Sequence, residues 1–505
     1  MTTAINNHPV FPGAKGQTIF SQRYHRIALA LTASAALSGA ATAADTCPAK
    51  DAHYYISMAA PNTAHIRLDY TLVSDKIDIL YKKSEDGTAN DSFIKNARIT
   101  SPNGTANMNS IGPGTWSVTP AQIGDQVTVE YDLILDHGNH PWNHGREEMG
   151  FVLEDNSAYL VSRFTMMADY GAQDCGIDIT FETKQSAAPW EKLADNRYHA
   201  KNLSAFTNNA FSFGDTVGTF KVKSPAGNIV FVHDKASTAL AKQAADETGK
   251  MLEHLIKLFG GFPASNYHIF LYENDHPEGG AFDDSFAMLH PSPAKPVDAF
   301  IWRQGFIHEI IHAWLGHSVR PAARTDIEWF KEGFTDYLAI KTMWRMGYLD
   351  SADLAEKLQN LMRRHTMGVF MSQGKVRMTE AGANKSQNRM IVYGTGATLA
   401  LMLDVEMSAK QGAGTFEKML ADLYANSAER YTAERLIKAL DKSSDGAASR
   451  LIKQFDVGLM PSAFAGMLEP YGVDVAYMIP DMFYLELNLD GKNAGKTPAF
   501  LTKGN

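Results

Sequence analysis

The chain has 505 residues, 45% hydrophobic and 20% charged, an ordinary balance for a folded globular protein with a large core and two or more domains. It shows no repeat period, heptad run or low-complexity block, which sets aside solenoid and coiled-coil architectures. A formal net charge of -9 argues against nucleic acid as a partner and against a basic membrane-surface patch.

Residues 1–43 read as an export signal. Arg23 and Arg26 precede an apolar stretch from Ile27 to Ala43 that ends Ala41-Thr42-Ala43, the order of basic region, apolar region and small-residue cleavage site. The stretch is too short, and too broken by Thr, Ser and Gly, for a membrane anchor, and no later segment reads as a span. Cleavage near Ala43 removes Lys15, Arg23 and Arg26 and no acidic residue, so the net charge falls from -9 to -12. The expected destination is a periplasm or the cell exterior. Cys47 and Cys175 are the only cysteines. An oxidising compartment lets them pair, tying the mature N-terminus to the first domain; two buried free thiols are the alternative.

From about 44 to 225 the chain reads as a β-rich, sandwich-like domain. Alternating or β-rich runs occur at 65–72, 76–81, 126–133, 158–165 and 177–182, with turn residues such as Pro102-Asn103-Gly104 between them. Residues 136–148 hold three histidines and two adjacent glutamates, but no i,i+4 or C-x-x-C geometry fixes a metal there. The Gly, Asn and Pro content predicts a loop, one that reaches toward a cleft.

A second domain is expected over 226–460. A short apolar strand at 228–232, a helix at 238–259 stopped by Gly260-Gly261 and Pro263, and a strand at 267–272 lead to Gly279-Gly280-Ala281-Phe282-Asp283-Asp284. Then comes His308-Glu309-Ile310-Ile311-His312, followed after nineteen intervening residues by Glu332. Histidines at i and i+4 share a helix face, where two imidazoles grip one metal ion. With Glu332 as third ligand, one position stays open for the attacking water, and Glu309 stands beside it as general base. Phe306, Ile307, Ile310, Ile311 and Trp314 make the surrounding helix apolar, so its polar residues need partners. His317 reads as a loop residue, since a fourth protein ligand would close the site. A helix at about 327–343 carries Glu332 and, one turn on, Asp336, a candidate to orient a ligand imidazole, with a surface salt bridge as the plainer reading. Helices follow at 351–364, 394–410, 415–425, 432–440 and 447–455, and 461–505 reads as a C-terminal tail.

His308 to His312, Arg320-Pro321, Trp329-Phe330-Lys331-Glu332-Gly333-Phe334-Thr335-Asp336-Tyr337 and Tyr393-Gly394-Thr395-Gly396-Ala397 together resemble the glycyl aminopeptidase family. That family belongs to the gluzincin zinc metallopeptidases, alongside the aminopeptidase N group. The resemblance runs from about Asn228 to Lys442. It implies an α+β chain in which the β-rich domain is followed by a thermolysin-like zinc peptidase domain with a helical lobe. It also implies one Zn2+ on His308, His312 and Glu332, and Tyr393 as the phenol that donates to the oxyanion. The sequence departs from the relatives in four places. Aligning Gly279-Gly280 with their paired glycines puts Phe282 where a glutamate receives the substrate amine; Asp283 or Asp284 is the candidate replacement, with a polar turn as the alternative. Thr395 stands for the relatives' lysine, and the spacing to Glu332 is one residue longer than in the aminopeptidase N group. The residues after 460 are too few for the PDZ domain that relatives often add.

The expected function is hydrolysis of peptides by a metal-activated water, most simply as an aminopeptidase on short peptides. A zinc endopeptidase and an exported, catalytically inactive binding protein are the alternatives. No stable membrane insertion of the mature chain is expected.

Overall fold

Alternation of apolar and polar side chains builds the first half of the chain. Strand Thr63–Thr71 buries Ala64, Ile66, Leu68 and Tyr70 and leaves the residues between them partly exposed, the period-2 pattern of a strand with one face on a core. It pairs antiparallel with Gln126–Ile134, setting Ile66 against Tyr131 and Leu68 against Val129, inside an eight-stranded sheet. Ile77, Ile79 and Trp116 from one four-stranded sheet, and Leu160, Phe211 and Phe213 from another, close the same core. The layered, sandwich-like packing follows from sheets that each carry one apolar face. The computed structural model describes residues 52–83, 89–135, 150–153, 156–172, 174–274, 278–290, 296–323, 325–460, 462–477, 485–489 and 498–502. The export signal, Cys47 and the histidine-rich stretch 136–148 lie outside them. Cys175 is buried and disulfide-bonded.

The run at 158–165 is only half strand. Ser157–Val161 is extended, and Ser162–Thr165 forms one helical turn, closed by the Thr165 hydroxyl donating to the Val161 carbonyl at 2.8 Å. A local side-chain bond outcompetes the β-branched propensity here.

A five-stranded sheet begins the second half, in the order Gly218–Val222, Asn228–His233, Asn266–Glu273, Ser285–His290, Gly279–Ala281. Gly218–Val222, just before the boundary expected at 225, forms a hairpin with Asn228–His233 and so belongs to this sheet, because pairing follows the nearest neighbour in sequence. The three central strands run parallel, with helix Thr238–Phe259 as the crossover. That helix turns Ala241, Ala244, Thr248, Met251, Leu252 and Leu255 inward and stops at Gly260, whose φ of 86° suits only glycine. Gly279–Ala281 pairs antiparallel on one side only and forms the sheet edge.

The remainder is helical, chiefly Pro296–Ile311, Glu328–Arg345, Ser351–Ser372, Gly396–Gln411, Thr415–Ala425, Ala433–Ser444 and Ala447–Asp456. Asp350 caps the third of these, accepting from the Asp353 backbone while Asp353 reaches back. Among the described residues after Met460, helix Ser462–Leu468, Val473 and the hairpin of Asp474–Tyr477 with Leu485–Asn488 bury Phe464, Leu468, Val473, Val475 and Leu487 in the core of the second half. The sequence hides this because the segment is short-elemented, and its apolar residues follow neither period for long. Met390–Gln411 is long and apolar enough to cross a membrane by length and composition, and 83% of its most apolar window is buried inside the protein.

The two halves meet through a shared apolar layer. Tyr159 and Phe164 of the β-rich part pack with Val232, Phe270, Tyr272 and Phe282 of the five-stranded sheet.

Candidate metal centre

Two helices and one turn carry the centre. In Pro296–Ile311 the apolar residues Phe306, Ile307, Ile310 and Ile311 are fully or nearly fully buried, so the helix is sunk in the core with its polar residues. Regular helix ends at Ile311, short of the Trp314 that the apolar pattern suggested. The His312 amide still reaches the His308 carbonyl at 3.3 Å, which preserves the i,i+4 relation of the two rings. Helix Glu328–Arg345 passes beside it and brings Glu332 and Asp336.

Hydrogen bonding fixes both imidazoles the same way round. His308 Nδ1 lies 2.9 Å from Asp336 Oδ1, and His312 Nδ1 lies 2.9 Å from the Leu315 carbonyl. Both partners only accept, so each Nδ1 donates, which leaves each Nε2 as the ring atom able to bind a metal. Those two Nε2 atoms converge on Glu332 Oε2 at 3.2 and 3.3 Å. One donor atom from each of His308, His312 and Glu332 lies within 4.8 Å of the others, and all three residues are buried. Two imidazoles and one carboxylate make a three-ligand set suited to zinc with a position left over. The residues fit the ion.

The surroundings are strongly charged. Lys385 Nζ donates to Glu332 Oε1 at 2.7 Å, and Lys331 Nζ lies 3.2 Å from the same atom. Burial alone would raise the Glu332 pKa, but the Lys385 and Lys331 charges outweigh it and hold this carboxyl well below its usual range. Asp336 is clamped from the other side by Arg364 at 2.9 Å. Glu309 is buried with no cation at hydrogen-bond distance among the described residues, and burial pushes its pKa up to about 7. Neither Lys385 nor Arg364 is foreseen in the sequence: each lies far along the chain, and no spacing rule ties it to the motif. Lys331 sat in plain view beside Glu332.

Tyr393 arrives on a π-helical turn, Met390–Thr395, an irregularity that re-aims a side chain out of the helical register. Its ring stacks against His308 at 6.1 Å between centroids, and Arg364, Lys385 and Arg389 lie within 5.3 to 5.6 Å of its face. Burial raises its pKa far above the usual phenol value, with Glu332 adding to the effect, so the hydroxyl remains a donor. The helices hold this position through two glycines. A Cβ on Gly396 would stand 2.1 Å from the Trp329 carbonyl oxygen, and one on Gly333 would stand 2.3 Å from the Gly396 carbonyl carbon.

Residues 298–456 match the family model for the peptidase family M1 domain. The chain carries a peptidase family M1 domain. The match lies on the aminopeptidase N side of the gluzincin resemblance, and the chain is a zinc metallopeptidase. Among solved structures this chain is similar to an aminopeptidase N family protein from Idiomarina loihiensis, at 16% identity and a TM-score of 0.71 over 85% of this chain and 80% of that one. It is also similar to an M1 zinc metallopeptidase variant from Deinococcus radiodurans bound to a Tyr-Ser-Ala substrate, at 12% identity and a TM-score of 0.51 over 81% of this chain and 94% of that one. At these identities the likeness concerns the fold. Comparison with curated proteins gave no match.

The glycine-rich strand lies against Glu309: a Cβ on Gly279 would stand 3.3 Å from Glu309 Oε1. Gly280 pairs with Ala287. Phe282 turns away into the layer between the two halves, where it is wholly buried under the Arg163 guanidinium. Asp283 lies 3.2 Å from His317 Nδ1 and 3.7 Å from Arg320. Burial works to raise the Asp283 pKa, but its His317 partner outweighs that and lowers it. Asp284 is held through its backbone by Asn209 at 2.9 Å, and burial raises its pKa. His317 is half-buried and stands outside the three-ligand group. Thr395, in place of the relatives' lysine, is buried with its hydroxyl 2.9 Å from His365 Nδ1.

Proposed function

We propose that this zinc metallopeptidase hydrolyses peptide bonds at the centre formed by His308, His312 and Glu332, with Glu309 as general base. The observation that carries the reading is the convergence of both Nε2 atoms on Glu332, with a buried Glu309 alongside that has no cation at hydrogen-bond distance among the described residues. Zinc, when bound, supplies Lewis acidity to a water and to the scissile carbonyl. Glu309 takes the proton from the attacking water and passes it to the leaving amine. The Tyr393 phenol donates toward the oxyanion. Asp336 keeps the His308 ring in the tautomer that leaves Nε2 free. Lys385 and Lys331 hold Glu332 ionised. The open edge of Gly279–Ala281 offers backbone groups to an extended substrate beside the base.

Aminopeptidase action on short peptides is the first reading, supported by the M1 domain. Cleavage of internal bonds is the second, and Phe282 favours it. The position aligned with the amine-binding glutamate is apolar and buried, and Asp283 is already engaged by His317 and Arg320. We further propose export, with the mature chain starting after Ala43; N-terminal sequencing of the protein recovered outside the cytoplasm tests it.

The deciding experiment pairs metal content with peptide hydrolysis for the mature protein and for Glu309→Gln, on matched peptides with free and acetylated N-termini. Zinc in both proteins and cleavage only in the parent is expected, with loss of about 10²–10⁴ in rate. A requirement for the free amine selects the aminopeptidase, and indifference selects the endopeptidase. Zinc without cleavage of any peptide points instead to a binding protein.

A further inference from the structure

Exposed large apolar side chains are ordinary when scattered and informative when contiguous. Helix Ser351–Ser372 carries Met367, Phe370 and Met371 at 37%, 70% and 67% exposure, and Met390, at 39%, opens the turn that holds Tyr393. They are contiguous for two reasons. Arg364, Met367 and Met371 stand at i, i+3 and i+7, one column along the helix, with Phe370 beside it. The Tyr393 turn also lies directly on this helix: a Cβ on Gly368 would stand 3.1 Å from the Met390 carbonyl carbon. Val457 and Met460 are exposed too, but Gly458 between them meets Val369 on the opposite flank.

The column starts at the catalytic centre. Arg364 donates to Asp336, which holds His308, and its guanidinium lies 5.6 Å from the centre of the Tyr393 ring. Seven residues of helix carry the column about 10 Å away from that point. An extended peptide at about 3.3 Å per residue covers the same distance in about three residues.

We propose that Met367, Phe370, Met371 and Met390 form an outlying subsite for apolar side chains of a polypeptide substrate. The side chains it holds lie about three or four residues from the scissile bond. The proposal rests on the peptidase reading above and extends it. Continuity with the Arg364–Tyr393 cluster identifies the occupant as substrate. Unbranched thioether side chains repack around differently shaped partners, so the subsite selects apolar character rather than one residue type. The preferred substrates are therefore longer than the tripeptides that suffice to fill the metal centre.

The test compares kcat/KM for a tripeptide and for nonapeptides containing the same cleaved bond, with Leu or Ser three and four residues from it on either side. Parent and the Phe370→Ser/Met371→Ser variant are both assayed, each checked for zinc content and melting temperature. The parent should prefer the Leu nonapeptide over the Ser nonapeptide by about tenfold or more, chiefly in KM, as expected for burying one apolar side chain. In the variant that preference should disappear, and the nonapeptide-to-tripeptide ratio should fall by about the same factor. Tripeptide cleavage by the parent with no length or Leu preference overturns this proposal alone, and does so whether or not the variant folds. No cleavage of any peptide overturns the peptidase reading and the subsite together. A dimer, or binding to neutral phosphatidylcholine vesicles, that the substitutions abolish while the nonapeptide ratio stays unchanged assigns the stripe to a second copy or a bilayer and overturns the proposal.

Discussion

At the scale of single residues, the centre depends on which atom of each ring is already spoken for. Asp336 and the Leu315 carbonyl each hold an Nδ1, and that leaves both Nε2 atoms facing Glu332. Asp336→Asn keeps the size but offers His308 an amide that can flip to present either end. It should weaken zinc binding by roughly 10–100-fold, as outer-shell partners do, and competition with a chelator of known affinity measures this. Unchanged zinc affinity would show that Asp336 serves only its bond to Arg364. The pairing of His308 with His312 was legible in the sequence because i and i+4 geometry is local. Lys385 was not, since its approach to Glu332 depends on how two distant helices pack. Phe282 marks the limit of alignment: the sequence shows that the glutamate is missing, and only the fold shows its replacement facing away from the base.

At the scale of elements, backbone contacts and buried polar pairs decide the placement of Tyr393. Gly333 and Gly396 let two helices touch at the main chain. Gly396→Ala puts a methyl group against the Trp329 carbonyl and forces the helices apart, at a cost of about 1–3 kcal/mol. Because Tyr393 and Glu332 ride on these two helices, rate should fall further than stability; melting temperature and kcat measured together separate the effects. Next to this contact, His365 is wholly buried, with Nε2 donating to the Leu459 carbonyl at 2.8 Å and Nδ1 accepting from Thr395. Burial pulls its pKa from 6.5 down to about 4. The folded state therefore prefers the neutral ring. Its contribution to stability is complete above pH 6.5 and is lost as the pH falls toward 4, at about 1.4 kcal/mol per unit. Urea midpoints between pH 7 and 4, in chelator to remove zinc linkage, should fall less steeply for His365→Phe than for the parent. Equal slopes would mean that the ring stays neutral in both states. Helix periods were readable for Thr238–Phe259 and Thr415–Ala425, whose expected bounds agree with the fold to the residue. The π-helical turn before Gly396 was not, because nothing in a 3.6-residue pattern announces an inserted residue.

At the scale of the whole molecule, the last segment decides whether the catalytic half is complete. Read as sequence, residues 461–505 lack a sustained period and pass for a tail. In the fold they contribute Phe464, Leu468, Val473, Val475, Leu487, Leu489, Phe500 and Leu501 to the same core that holds the motif helices. The Leu501 carbonyl also accepts from Trp344 at 3.3 Å, and Gln359 accepts from the Leu487 amide at 3.1 Å. Trp344 lies near the end of the helix that carries Glu332, and Gln359 lies on the helix that carries Arg364, so the segment braces both walls of the centre from behind. Each fully buried apolar side chain is worth about 1.5–3 kcal/mol, while a folded domain is stable by only about 5–15 kcal/mol. Phe464, Leu468, Val473 and Phe500 are exposed by 3% or less, so these four alone, at about 6–12 kcal/mol, are on the scale of the entire margin. Ending the chain after Met460 should abolish cooperative thermal unfolding and zinc retention together, and should make helix Glu328–Arg345 accessible to limited proteolysis. A true tail would leave melting temperature, zinc content and the cleavage pattern as in the parent. The contrast is large enough for a single melting experiment to decide, because the segment either closes the core or does not.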